Sequence, residues 1–146
     1  LRAVLCGGSA VPRALISAFD KEFGVTIIQG WGMTETSPVA SVAKPPSGVT
    51  GEPAYDYQAK AGRLQFGVEA RIVDDEGNVL QRDGKEVGEI ELRGPWVTAA
   101  YYLDNDPAKF HDEWLRTGDV GAIDPMGYIT ISDRSKDVIK EGRQWI

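Results

Sequence analysis

The sequence predicts an α/β plus β fold, in which a strand–helix–strand segment precedes a small antiparallel, barrel-like β subdomain. Two observations lead to this prediction. Residues 1–30 place a helical pattern between two strand-like apolar runs, and from Val68 onward short alternating runs are separated by turn sequences. A chain of 146 residues is long enough to bury a modest core.

The first segment has the pattern of strand, helix and strand. The apolar run LRAVLC ends at a glycine pair, and Pro12 stands where the first turn of a helix accepts proline. Four apolar residues then recur at helical spacing: Leu15, Ile16, Phe19 and Phe23. Gly24 ends the helix, and the β-branched run VTIIQ forms the second strand. This connection makes the strands parallel neighbours, so the following loops, GGSA and GWGMTE, are expected to face one cleft.

The rest of the chain is predicted to consist of loops and short strands. Residues 40–62 contain three prolines and several glycines without clear periodicity, which predicts a long loop. The runs VEARIV and NVL flank the turn DDEG, and VGAID and YITI flank the turn PMG. Between these hairpins, EIELR alternates Ile90 and Leu92 with charged residues, as a strand with one solvent-facing side does. After Asp133 the sequence is highly charged, which is typical of a linker or the start of another unit.

The composition suits a soluble globular protein whose expected compartment is the cytoplasm. Apolar residues make up 42% of the chain, and the net charge of −6 makes nucleic acid or an anionic membrane an unsuitable partner. No apolar run approaches the length of a membrane span. The single cysteine, Cys6, excludes an internal disulfide and a zinc site built from cysteines. The strand-like start and the end at GRQWI suggest that the sequence belongs to a longer one.

The segment GWGMTETSP, residues 30–38, carries side chains suited to binding a nucleotide. Gly30 and Gly32 would leave room for a nucleotide beside the backbone, and Thr34 could donate a hydrogen bond to a phosphate oxygen. Glu35 offers a hard oxygen ligand of the kind that Mg²⁺ takes together with phosphate oxygens. Glu35 stands where a dinucleotide fingerprint needs glycine or alanine, so this is not that motif. The alternative is a glycine turn capped by Thr34.

A second candidate is the sequence RTGD at residues 116–119. A carboxylate fixed by a glycine turn could accept hydrogen bonds from both vicinal hydroxyls of a ribose. The alternative is a turn in which Asp119 caps its neighbours.

Two further motifs favour simpler interpretations. GGSAV resembles the nucleophile elbow of serine hydrolases with Ser9 as the nucleophile, but Val11 replaces the final glycine that the strained turn needs. Such a hydrolase would also need His111, the only histidine, which stands in the polar stretch FHDEW and is expected at the surface. DDEGN lacks the spacing of a calcium loop and predicts a hairpin turn.

Taken in order, the motifs resemble those of the adenylate-forming enzymes, and most closely the medium- and long-chain fatty acid–CoA ligases. The resemblance rests on GGSAVP, QGWGMTETSP, GEIELRGPWV, WLRTGDVG and DRSKDVIK, and it covers essentially the whole length. In such ligases a fatty carboxylate attacks the α-phosphate of ATP and pyrophosphate leaves. The thiol of coenzyme A then attacks the acyl-adenylate. The resemblance therefore implies ATP, Mg²⁺ and coenzyme A as cofactor and co-substrates.

The resemblance also implies roles for individual positions. Thr34 would lie near the α-phosphate and Glu35 would bind Mg²⁺, and these two are the expected catalytic residues. Asp119 would bind the ribose, and Trp31 would border the nucleotide and acyl pocket. The positions expected to contact the nucleotide or coenzyme A are Gly8, Ser9, Ala10, Gln29, Gly30, Trp31, Gly32, Met33, Thr34, Asp119, Arg134, Gly142, Arg143 and Gln144.

By the same resemblance, residues 1–133 form the last part of the large adenylation domain, with an α/β piece at 1–44 and the loop and β subdomain at 45–133. Residues 134–146 then comprise the hinge, at Lys136, and the start of the small C-terminal domain. The phosphate loop and the catalytic lysine of the family lie outside this sequence, so the isolated chain is expected to be inactive. Arg143 stands where the family normally has glycine beside the pantetheine tunnel, where it could obstruct the tunnel or bind a coenzyme A phosphate.

The expected function is therefore that of part of an ATP-dependent fatty acid–CoA ligase, with small-molecule substrates. Two alternatives remain open. One is a relative that uses another acid or acceptor, such as an aryl acid–CoA ligase or a luciferase-like oxygenase. The other is a degenerate adenylate-forming fold retained as a nucleotide-binding or interaction module.

Overall fold

The computed structural model describes residues 1–103, 106–134, 140–141 and 144–145, which fall into two compact units, Leu1–Gln65 and Phe66–Ile146. The first unit contains β1 (Ala3–Cys6), α1 (Arg13–Phe23), β2 (Thr26–Trp31), β3 (Ser41–Val42), α2 (Glu52–Gln58) and β4 (Gly62–Leu64). The second contains β5 (Glu69–Val73), β6 (Gly88–Arg93), β7 (Phe110–His111), β8 (Trp114–Ile123), β9 (Tyr128–Arg134), β10 (Lys140–Glu141) and β11 (Gln144–Trp145). An α/β unit is thus followed by a β unit, which confirms the predicted fold class.

The strands of the first unit are ordered β1–β2–β3–β4. β1 and β2 are parallel, as predicted, because α1 connects them on one side of the sheet. β3 and β4 then continue the sheet in antiparallel pairing. The loops that follow β1 and β2 consequently leave the sheet at the same edge.

Helix α1 has the predicted ends but buries fewer residues than its spacing suggested. Pro12 is the residue that precedes its first turn, and Gly24 ends it in a left-handed conformation with φ 62°. Ile16 is buried in the core of the first unit, whereas Leu15 and Phe23 are exposed. The helix is amphipathic, and the neighbours that it packs against in this unit cover only the side that contains Ile16.

The prediction of a long loop at residues 40–62 is wrong, because this stretch contains β3, α2 and the start of β4. Tyr55 of α2 enters the core beside Ile16. Arg13 of α1 pairs with Glu52 at 2.9 Å and with Asp56 at 2.5 Å. These contacts hold a helix of only seven residues, too short to show a period in the sequence. The first unit therefore extends beyond the predicted boundary at residue 44.

The second unit is an antiparallel sheet in which the order is β5–β6–β8–β9, with β7 also paired to β8. Ile90 and Leu92 of β6 are fully buried, as predicted. The expectation that their charged neighbours face solvent is wrong, because Glu89 and Glu91 are also buried. Burial of a carboxylate requires compensation by partners, and arginines from adjacent strands supply it.

The sequence DDEGN forms the predicted hairpin turn. A side-chain oxygen of Asp74 accepts hydrogen bonds from the backbone N–H groups of Glu76 and Asn78, at 2.9 and 2.8 Å. These bonds, with those from the Asn78 side chain first, lower the pKa of Asp74 below its ordinary value. The run NVL forms only an isolated bridge, between Val79 and Val73, instead of a full strand. Among the described residues, no helix is long and apolar enough to cross a membrane.

Candidate functional site

A pocket of about 350 Å³ lies in the first unit at the carboxyl ends of β1 and β2. Its walls include the predicted residues Gly8, Gln29, Gly30, Trp31, Gly32, Met33 and Thr34. Its other lining residues, which the sequence analysis did not identify, are Leu5, Cys6, Gly7, Ile28, Pro38, Val39 and Val42. The prediction that the two loops face one cleft is confirmed. The walls are mainly apolar, and Thr34 contributes a hydroxyl group.

The connection from β2 to β3 has four polar side chains, of which Thr36 is buried and Thr34, Glu35 and Ser37 are exposed or half-buried. Residues Thr34–Thr36 form a single turn of 3₁₀ helix. Thr36 is fully buried, and its Oγ1 accepts a hydrogen bond from Met33 N–H at 3.0 Å. The same oxygen lies 2.9 Å from the carbonyl oxygens of Met33 and Pro38, to which its hydroxyl can donate. Thr36 therefore fixes the loop, while Thr34 is exposed and Glu35 is half-buried.

Gly30, near the end of β2, and Gly32, just after β2, have different surroundings. A Cβ on Gly32 would lie 2.0 Å from the carbonyl oxygen of Pro38 and 2.8 Å from the nitrogen of Ala40. The space beside Gly32 is thus filled by the backbone of the same loop, and the predicted reason for this glycine, room for a nucleotide, is wrong. A Cβ on Gly30 would meet its nearest atoms at 3.8 Å, an ordinary contact. A methyl group would therefore fit at Gly30 without a clash, unlike at Gly32.

Gln29 connects the β1–α1 loop to the end of α2. Its Oε1 accepts a hydrogen bond from Val11 N–H at 2.5 Å, and its Nε2 donates to the carbonyl oxygen of Lys60 at 2.9 Å. Only 6% of the surface of Gln29 is exposed. Both the oxygen and the nitrogen of the side-chain amide are thus used in hydrogen bonds within the protein. The predicted role of Gln29 in binding adenine would fall to its backbone.

The loop after β1 is exposed at the three predicted adenine-binding positions, Gly8, Ser9 and Ala10. Gly8 has φ 86°, and a Cβ there would meet no atom within 4 Å. The backbone conformation, instead of crowding, therefore requires glycine.

Glu35 offers one carboxylate to a magnesium ion, which is not a complete metal site by itself. Within the described residues, no group of three or more histidine, cysteine, aspartate and glutamate side chains lies together in a way that could hold a metal ion. One carboxylate fits the usual coordination of Mg²⁺, which takes one or two carboxylates together with phosphate oxygens and water. A magnesium ion at Glu35 would therefore need a bound phosphate.

The RTGD sequence does not form the predicted turn. It lies inside β8, where Gly118 has φ 73° and the pairing with β6 shifts: Glu89 pairs with Val120, whereas Glu91 pairs with Arg116. A bulge of this kind bends the strand and redirects the residues beside it. Asp119 is half-buried directly after Gly118, and its Cα pairs with that of Arg134 in β9. The strand register thus brings the backbones of two predicted nucleotide-binding residues together.

His111 keeps 34% of its side chain exposed, and its ring also contacts buried groups. Its Nδ1 lies 3.0 Å from Oε1 of Glu91, and the guanidinium of Arg71 contacts both its ring nitrogen and its backbone carbonyl, each at 3.1 Å. Arg71 also pairs with Glu91 at 2.6 Å. The imidazole is therefore part of the ion-pair network that compensates the fully buried carboxylate of Glu91.

Three of the remaining predicted residues, Lys136, Gly142 and Arg143, lie outside the described residues. Gln144 is in β11, and its backbone pairs with Glu141. The predicted hinge and coenzyme A contacts stay predictions.

The sequence model of the AMP-binding enzymes matches residues 1–102, which is more than half of the chain. The chain belongs to the AMP-binding enzyme family. It is 41% identical, over its whole length, to 3-methylmercaptopropionyl-CoA ligase of Ruegeria lacuscaerulensis, and also 41% identical over its whole length to long-chain-fatty-acid–CoA ligase of Thermus thermophilus. It covers 28% of each of these relatives.

A solved structure gives the same result for the fold. O-succinylbenzoate coenzyme A synthetase of Bacillus subtilis, in complex with ATP and magnesium ion, matches 99% of this chain with a TM-score of 0.80 and 32% identity. The chain covers 29% of that protein. The predicted resemblance to acyl-CoA ligases is confirmed, and the chain spans less than a third of the length of its relatives.

Proposed function

We propose that this chain is part of an ATP-dependent fatty acid–CoA ligase. Family membership supports the ligase class, and the pocket at the ends of β1 and β2 supports an apolar acid. The pocket carries the proposal because its walls are mainly aliphatic and aromatic, with Leu5, Ile28, Trp31 and Val39 among them. Transfer of an apolar acyl chain from water to such a surface is favourable. A strongly polar acid would lose its hydration there, which costs free energy.

In this proposal the loop after β2 acts on the phosphate end of the nucleotide. Thr34 is exposed beside the pocket, where its hydroxyl donates to an oxygen of the α-phosphate. Thr36 holds the loop in place from inside, so that Thr34 is oriented before substrate binds. Donors fixed in advance where charge develops are an effective source of rate acceleration.

Glu35 supplies the protein ligand for Mg²⁺, with phosphate oxygens and water completing its coordination. When bound, the ion neutralises charge on the phosphates. Asp119 accepts hydrogen bonds from the ribose hydroxyls, and the glycines after β1 leave the adenine access to the backbone. Coenzyme A is the acyl acceptor. The phosphate loop and catalytic lysine implied by the resemblance are outside the sequence, so the isolated chain is proposed to be inactive.

The test is acid-dependent pyrophosphate release by the full-length protein that contains this chain, followed by thioester formation with coenzyme A. The acids compared should be medium- and long-chain fatty acids, 3-methylmercaptopropionate and an aryl acid. We expect the highest kcat/KM with a fatty acid. A preference for 3-methylmercaptopropionate or the aryl acid would replace the substrate class and leave the ligase class intact. No release with any acid would favour a nucleotide-binding module without activity.

A further inference from the structure

We propose that Glu89 is a positioning residue that holds Asp119 in place for ribose binding, an inference that rests on the proposed function. Glu89 is in β6 and does not belong to the RTGD motif. It acts on the bulge of β8 that carries Asp119, through contacts with the residues that precede Asp119. Its side chain is nine-tenths buried, at 10% exposure.

The carboxylate of Glu89 contacts the bulge at two points. One oxygen, Oε2, accepts a hydrogen bond from Nε of Arg116 at 2.9 Å and also pairs with Nη2 of the same guanidinium. The other oxygen, Oε1, accepts a hydrogen bond from the backbone N–H of Gly118 at 3.3 Å. Gly118 is the residue with the left-handed backbone, so Glu89 binds the bulge at the point where the strand changes direction.

A second set of hydrogen bonds from β6 reaches Asp119 itself. The hydroxyl of Thr117 donates to the carbonyl oxygen of Ile90 at 2.7 Å. The same oxygen of Thr117 accepts the N–H of Asp119 at 3.1 Å. Each residue from Arg116 to Asp119 is therefore held directly or indirectly by two neighbouring residues of β6.

The contacts of Glu89 differ from those of the other buried glutamate in the same strand. The side chain of Glu91 bonds to Arg71 and His111 and is fully buried. These partners compensate the burial of the Glu91 carboxylate within the sheet. Glu89 instead directs one oxygen to the backbone of the bulge, and an ionised acceptor makes a stronger hydrogen bond to N–H than a neutral one. Glu91 pairs with Arg116 through the strand backbone, but its carboxylate bonds to Arg71 and His111, so it serves as a control for the burial and charge of Glu89.

The experiment measures how strongly the full-length protein prefers ATP to 2′-deoxy-ATP and 3′-deoxy-ATP, by calorimetric titration. Removal of a ribose hydroxyl removes the contact with Asp119, so the preference reports that contact alone. We expect a preference of roughly tenfold in the wild type, because a hydrogen bond to a charged acceptor has about that effect. Asp119→Ala should abolish the preference for ATP. Glu89→Gln keeps an acceptor for Gly118 but loses the charge, and should reduce the preference several-fold. Glu89→Ala should reduce it to nearly the level of Asp119→Ala.

Glu91→Gln should lower stability in urea while leaving the preference for ATP unchanged. If Glu89 has only a structural role, its variants would weaken the binding of all three nucleotides equally, and this result would overturn the inference. Wild-type preference in both Glu89 variants, with loss in Asp119→Ala, would also overturn it and leave the proposed function standing. Should the wild type show no preference or no binding, the assigned role of Asp119 fails and the inference fails with it. Glu89→Gln is nearly isosteric and keeps the test valid if Glu89→Ala does not fold.

Discussion

Gly32→Ala should destabilise the first unit strongly, although it adds a single methyl group. That methyl carbon would lie 2.0 Å from the carbonyl oxygen of Pro38, whereas ordinary contact begins at 3.4 Å. The atoms in its way are mainly backbone, so a change of rotamer cannot relieve the clash. The carbonyl must retreat by more than an ångström, which removes its contact with the hydroxyl of Thr36 and displaces Ala40.

The expected loss follows from these contacts. Overpacking costs about 1–3 kcal/mol, and each hydrogen bond that the shift breaks adds about 1 kcal/mol. The free energy of unfolding should therefore fall by roughly 2–4 kcal/mol, which lowers the Tm of a unit of this size by on the order of 10 °C. The matched control is Gly30→Ala, near the end of β2, where the nearest atoms would be 3.8 Å from the added methyl carbon. Its effect should stay within about 0.5 kcal/mol.

Urea denaturation followed by tryptophan fluorescence and circular dichroism measures both variants against the wild type. Equal stability of Gly32→Ala and Gly30→Ala would refute the reasoning, because it would mean that the loop backbone does not approach Gly32 closely. A further consequence is that Gly32→Ala should also displace Thr34 and weaken nucleotide binding.

Three further predictions concern other parts of the chain. Gln29→Leu should lower the free energy of unfolding by about 1–3 kcal/mol, measured in urea, because a partly buried backbone donor and acceptor lose their partner; an unchanged midpoint would contradict this. Asp74→Asn should be less stable than the wild type above the ordinary pKa of 3.8, and the difference should vanish as the pH falls through the lowered pKa of Asp74 in the folded protein; a Tm difference independent of pH would count against it. Arg143→Gly in the full-length protein should accelerate thioester formation and leave adenylate formation unchanged, as single-turnover assays of each step can measure; equal losses in both steps would exclude a role limited to coenzyme A.

The elements that the sequence predicted correctly have strong local signals. A glycine with a left-handed conformation ends α1, and an apolar face marks its buried side. The turn at Asp74 needs only residues within four positions of each other. The position of the pocket was also predictable, because the carboxyl ends of parallel strands meet at one edge of the sheet. These features depend on short stretches of chain and on a general rule of topology.

The elements that the sequence missed depend on partners far along the chain. Helix α2 is held by Arg13, 39 positions before Glu52. The charges in EIELR indicated a solvent-facing side, but Arg71 and Arg116 approach from the neighbouring strands and allow the glutamates to be buried. A glycine before an aspartate is equally compatible with a turn and with a bulge, so RTGD gave no means of choosing. Val42 lines the pocket only because β3 pairs with β2, and a strand of two residues has no pattern of its own.

The most direct test of the proposed ligase function is the affinity of the full-length protein for a stable analogue of a fatty acyl-adenylate. Titration calorimetry should compare the wild type with Asp119→Ala, and circular dichroism should verify that both are folded. The account predicts tight binding by the wild type and an affinity roughly tenfold or more lower in the variant, through the lost ribose hydrogen bonds. Equal affinities of the wild type and the variant would show that Asp119 does not bind the ribose. No binding by the wild type would contradict the proposed function itself.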